Sequence, residues 1–132
     1  CRGEGLDPAF AALKDWHFTD LPYDPDGLRT DEADPSAADE PGPSSIWALR
    51  QAVRTLRASD NTWSRNFMMR VLIHVIGDLH QPLHVAQGFF NNSQFGDVSD
   101  GDIGGRSIRI HSKDWPQLSD LHAFWDAAAG LF

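Results

Sequence analysis

Between positions 74 and 84 the sequence reads His-Val-Ile-Gly-Asp-Leu-His-Gln-Pro-Leu-His, and several of those side chains are of the kinds that hold metal ions. His74 and Asp78 are four residues apart, a spacing that puts both on one face of a helix. A carboxylate in an otherwise apolar helix wall is costly unless it is ionically satisfied. A metal would satisfy it, and the imidazole beside it suits zinc. Pro82 ends the helix, so the chain can turn His84 back as a third ligand. The same four-residue spacing recurs at His122 and Asp126, within Leu-His-Ala-Phe-Trp-Asp. A further imidazole, His17, stands at the mouth of a loop in Trp16-His17-Phe18-Thr19-Asp20.

A single His and Asp four apart is ordinarily a helix-surface pair or a satisfied core histidine. Two such pairs, with His84 close by, favour metal binding. His80 faces differently from His74 and Asp78 and is expected to serve structural hydrogen bonding. His111 is expected to be exposed. The tryptophans (16, 47, 63, 115 and 125) read as core residues, and Arg50, Arg54 and Arg57 as a solvated helix face.

The elements that must position these residues are mainly helical. A helix from about Thr62 to Leu79 carries Trp63, Phe67, Val71, Ile73, Val75 and Ile76. That is apolar around most of its circumference, the pattern of a buried central helix. Before it, Ser44 or Ser45 caps a helix through Ile46, Leu49, Val53 and Leu56, broken by Asp60-Asn61-Thr62. After it, Ser119 or Asp120 caps a last helix from about Leu121 to Leu131. Asp7-Pro8 begins a short helical stretch ending near Asp15-Trp16. Two loop regions are expected: an acidic one over about 20–44 and a second over about 85–117. The second contains one strand-like alternation, Ser107-Ile108-Arg109-Ile110.

The chain has 132 residues, 41% of them hydrophobic and 23% charged, the balance of a single folded domain. Its net charge of −8 argues against a broad electrostatic grip on duplex nucleic acid, yet leaves room for an enzyme whose metal ions supply positive charge locally. Cys1 is the single cysteine, so no disulfide forms within this sequence. No apolar run is long enough to span a membrane. The sequence opens without methionine and stops inside an apolar helical pattern at Leu131-Phe132, so a domain truncated at both ends is expected.

Together these segments resemble the zinc-dependent class I nucleases, the single-strand-specific nuclease and 3′-nucleotidase family of S-one and P-one type. The family pattern of His, three residues, Asp, five residues, His is matched by His74, Asp78 and His84, with Gly77 and Gln81-Pro82-Leu83 in place. His122 and Trp125-Asp126 match the downstream pair, and His17, Phe18 and Asp20 the upstream His-Phe-x-Asp. Gly101-Asp102-Ile103-Gly104-Gly105 looks like the family's Gly-Asp-x-Gly-Gly loop, which there continues into Asn where this chain has Arg106. The resemblance implies a mainly α fold shared with zinc phospholipase C, with a short strand pair at most, and makes 1–132 a partial zinc nuclease domain.

The resemblance further implies three zinc ions in the full-length enzyme, and fewer here. One would be held by His17, His74 and Asp78, with Asp78 bridging to a second and so placed in the catalytic step. Another would be held by His84, His122 and Asp126. Phe18 and Asp20 match positions that stack on and hydrogen-bond a base. The family's metal-binding N-terminal Trp, with the His and Asp ligands after it, has no match before His17, so these residues alone are expected to be inactive. The implied activity is hydrolysis of single-stranded DNA, RNA and 3′-nucleotides to 5′-phosphate products, with those nucleic acids as partners and no stable protein partner. Zinc phospholipase C carries His-x3-Glu downstream, so Asp126 favours the nuclease; a non-catalytic zinc-binding remnant is the other alternative. The family is typically secreted or in the endomembrane lumen, and Asn91-Asn92-Ser93 is an N-glycosylation sequon, so a secreted glycoprotein is expected.

Overall fold

A computed structural model describes residues 12–28, 43–92, 96–98 and 101–127. The chain divides into two compact units, Cys1–Thr19 with Ala38–His80, and Asp20–Ala37 with Gln81–Phe132.

The first unit is a helical hairpin with a 3-10 segment against it. Helix α1, Ser45–Ala58, begins where Ser44 Oγ accepts a hydrogen bond from the Trp47 amide at 3.2 Å. Helix α2, Thr62–Asp78, follows after three residues, with Asn61 Oδ1 accepting from the Ser64 amide at 2.9 Å. Arg65 reaches back from α2 to donate to the carbonyls of Leu56 (2.7 Å) and Ser59 (3.2 Å), which satisfies the open end of α1. The core of the hairpin is small: Ala48 and Ala52 are fully buried and Val75 almost so. The 3-10 segment, Ala12–His17, packs Trp16 on Trp47, ring centroids 5.4 Å apart. Phe18 then accepts from the Ser45 amide at 2.9 Å, tying the exit of that segment to the start of α1. This is what fixes His17.

Helix α2 is not the buried central helix its composition suggests. Trp63 is 73% exposed and Ile73 66%, and Met69 and Ile76 are exposed as well; Val75 alone among its residues is buried. The reason is partnership. Within its unit α2 packs chiefly on α1, with a smaller contact to the 3-10 segment, and much of its apolar circumference stays exposed. The core expectation for tryptophan fails with it, since Trp63 and Trp125 are exposed while Trp16, Trp47 and Trp115 are partly covered. Arg50, Arg54 and Arg57 are exposed, as their positions on α1 imply.

The second unit is built on short strands. β1, Leu21–Tyr23, pairs in parallel with β2, Ala86–Gly88, in the register Leu21 with Ala86. β3, Phe90–Asn92, pairs antiparallel with β4, Gly96–Val98. The structure thus adds a second strand pair to the one anticipated. Ser107-Ile108-Arg109-Ile110 is no strand: it leaves a turn and makes one isolated bridge, Arg109 to Asp120. Asp120 caps helix α3, Leu121–Asp126, accepting from the Ala123 amide at 2.9 Å.

Asp102, only 3% exposed, clamps the glycine loop to β2: its Oδ1 accepts from the Gly88 amide at 3.0 Å, and its own amide donates to the Gly88 carbonyl. The loop then runs through three left-handed residues, Ile103 (φ 54°), Gly104 (57°) and Gly105 (80°). Such a run is open to glycine and strained for isoleucine. The first half of the Asp7 helical stretch, most of the acidic 20–44 loop, Ser93 of the sequon and the end of the last helix lie outside the described residues.

Candidate metal centres

In the first unit three ligand atoms converge. His17 Nδ1 lies 3.0 Å from Asp78 Oδ2, His74 Nε2 lies 3.3 Å from the same oxygen, and the two ring nitrogens are 3.0 Å apart. The rings meet edge to face, their centroids 4.8 Å apart. His74 and Asp78 come from successive turns of α2, and His17 from the end of the 3-10 segment held on α1. A proton shared among these atoms can serve only one edge of the triangle at a time. A cation serves all three, and ligands about 2.0–2.1 Å from a tetrahedral zinc stand about 3.3 Å from one another. The triangle is of that size. His74 is exposed at 58% and Asp78 at 16%, so the triangle opens to solvent rather than into the apolar wall its helix suggested.

The second unit holds the other group. His84 Nε2 is 3.3 Å from Asp126 Oδ1, and His122 Nε2 is 3.4 Å from Asp126 Oδ2. The two imidazoles stack, centroids 4.8 Å apart and planes 16° from parallel. Both rings are well covered, His84 at 13% and His122 at 7% exposure, while Asp126 is 46% exposed. The 3-10 turn Pro82–His84 delivers His84; Gln81 starts that turn by accepting from the Leu83 amide at 2.6 Å. The same Gln81 donates its side-chain amide to Asp126 Oδ1 at 2.8 Å. His122 donates from Nδ1 to the Gly104 carbonyl at 2.8 Å, which leaves its Nε2 lone pair facing Asp126. Arg106 Nη2, 2.8 Å away, donates to that lone pair.

The two groups His17, His74, Asp78 and His84, His122, Asp126 are those among the described residues whose donor atoms could hold a metal ion. Every residue read as a ligand from spacing falls in one of them. His80 stays outside, its Nδ1 donating to the Ile76 carbonyl at 2.6 Å, the structural role expected of it. His111 is exposed. Phe18 is half-buried beside His17 in the first unit, and Asp20 is exposed in the second. Reading the sequence for ligands missed the three residues that contact the second group, Gln81 and Gly104, which orient its side chains, and Arg106, which meets the His122 nitrogen. Their signal was present, since Gln81 follows the histidine motif and the other two belong to the glycine loop.

Two His-His-Asp groups on a mainly helical frame could each hold a metal ion. The chain belongs to the S1/P1 nuclease family, whose model matches residues 7–130. It is similar to Endonuclease 3 of Arabidopsis thaliana, 40% identical over 55 residues, a stretch that covers 42% of this chain and 14% of that protein. No solved structure matches it.

Proposed function

We propose that the protein is a zinc-dependent hydrolase that cleaves single-stranded DNA and RNA, and 3′-nucleotides, leaving 5′-phosphate products. The observation that carries this is the triangle of His17, His74 and Asp78 donor atoms, of tetrahedral ligand size, in a chain of a nuclease family. Two imidazole nitrogens with one carboxylate oxygen suit zinc better than magnesium or calcium, which take oxygen ligands.

His17, His74 and Asp78 would hold one ion, and His84, His122 and Asp126 another. Zinc, when bound, supplies a Lewis acid for the phosphoryl group and water acidic enough to attack near neutral pH. The chain's own groups do the positioning. The Gly104 carbonyl fixes the tautomer of His122, and the Gln81 amide restrains the Asp126 carboxylate. The Asp78 carboxylate stands beside two imidazoles, where it would offset part of the charge of an ion. Phe18 would stack on a base and Asp20 accept from its N–H groups. A base reaches an aromatic face only when it is out of the duplex stack, so single strands are preferred. A secretory route is part of this reading; Asn91, exposed on β3, would then be the glycan acceptor.

The test is hydrolysis by the full-length protein of single-stranded DNA, duplex DNA and a phosphatidylcholine vesicle, with product ends identified. Single-strand cleavage to 5′-phosphates, abolished by chelation and restored by zinc, is expected. Lipid hydrolysis without nuclease activity would instead make it a phospholipase, and zinc binding without either activity a remnant.

A further inference from the structure

Arg106 meets a nitrogen that an ion at the second centre would use. Its Nη2 donates to His122 Nε2 at 2.8 Å, and that nitrogen is the atom His122 offers toward Asp126, 3.4 Å away. His122 has no alternative atom to give, because Nδ1 is committed to the Gly104 carbonyl at 2.8 Å. An imidazole nitrogen carries one in-plane lone pair, so a guanidinium N–H and a metal ion cannot use it together. Both are also cations, and each repels the other from the same carboxylate. Arg106 is held at this spot by the glycine loop: it follows Gly105 (φ 80°), and its amide donates to the Ile103 carbonyl at 3.3 Å. The residue itself is exposed to solvent.

We infer that Arg106 is a built-in competitor for the metal at the His84, His122, Asp126 centre: it caps the His122 nitrogen when the centre is empty and must be displaced for an ion to enter. Metal affinity at this centre is therefore lower than its three ligands alone would give. The inference rests on the metal-centre reading above and concerns uptake rather than turnover.

The experiment uses the full-length protein stripped of metal, carrying His17→Ala to silence the first centre, and titrated with zinc against a chromophoric chelator. Arg106→Ala should tighten zinc binding roughly ten- to a hundredfold, the loss of one charge-assisted hydrogen bond that the ion otherwise has to break. Arg106→Gln, which keeps a donor without the charge, should tighten it less. In a His122→Ala background, where only the first centre binds, substitution at 106 should leave zinc affinity unchanged. Unaltered or weaker binding in Arg106→Ala overturns the competitor role and leaves the centre standing. Equal tightening in both backgrounds overturns it too, as a general charge effect. No zinc bound at the second centre in any variant overturns the centre and the competitor together.

Discussion

Nδ1 of His122 lies 2.8 Å from the carbonyl oxygen of Gly104, and this one bond decides which nitrogen of the ring faces Asp126. The carbonyl is there because the backbone turns left-handed through Ile103, Gly104 and Gly105, a path that begins at the buried Asp102 clamp. The glycine loop and the second centre are thus one structural object.

Gly104→Ala tests that dependence. The backbone is at φ 57°, and a Cβ there would sit 2.5 Å from the Leu83 carbonyl oxygen, a backbone atom that cannot move aside cheaply. Strain of about 1–3 kcal/mol is expected, read by thermal unfolding. Zinc should be lost from the second centre, because the loop must shift away from His122. Gly77→Ala is the control: nothing lies within 4 Å of its added Cβ, and its backbone is helical. It should be neutral or stabilising by up to about 1 kcal/mol. Equal losses in both variants would show that the loop geometry is not what matters.

Gln81 uses its two side-chain atoms for two tasks, starting the turn that carries His84 and holding Asp126. Gln81→Leu should lower zinc affinity at the second centre by roughly ten- to a hundredfold, the usual consequence of removing a group that orients a metal ligand. Affinity at the first centre should not change. Isothermal titration on variants with one centre silenced separates the two, and an unchanged second centre would dismiss Gln81 as a positioning residue.

Asp78→Asn replaces the one negative charge of the first triangle with a neutral amide of the same shape. The full-length variant should bind one ion fewer per chain and lose hydrolysis of single-stranded DNA. Turnover near the parent level, with metal content intact, would remove Asp78 from the site.

How much of this was legible from sequence depends on how local each feature is. Helix starts were: Ser44 and Asp120, each one of two candidates, cap the helices that follow, and Asn61, in the segment read as a break, caps the helix expected from Thr62. The ligand groups were legible for the same reason, since the spacings from His74 to Asp78 and from His122 to Asp126 are properties of one helix turn. The environment of α2 was not. Its apolar composition says that many faces want partners, but whether partners are present is decided by the tertiary packing, and Trp63 and Ile73 are left in the open. The strands were also hidden, because three-residue segments such as Leu21–Tyr23 and Ala86–Gly88 are too short to show alternation. Arg106 was visible only as a departure from a pattern; its contact with His122 needs a fold that brings together residues 16 positions apart.

Phe18→Ala addresses the proposed base contact. Stacking of a base on an aromatic ring contributes roughly 1–3 kcal/mol, so kcat/KM for nucleotides should fall by about ten- to a hundredfold with zinc content unchanged. A phosphodiester without a base should be hydrolysed almost as well as by the parent. If both substrates suffer equally and zinc is lost, Phe18, whose own carbonyl accepts from the Ser45 amide, serves the packing of the loop after His17 and not the base.

The most direct measurement of the central claim is metal content per chain, by plasma emission spectrometry, for the full-length parent and for His74→Ala, His122→Ala and the double variant. If His17, His74, Asp78 and His84, His122, Asp126 are two zinc centres, each single variant loses zinc relative to the parent, and the double variant loses the sum of the two. Zinc content equal to the parent in both single variants would contradict the account.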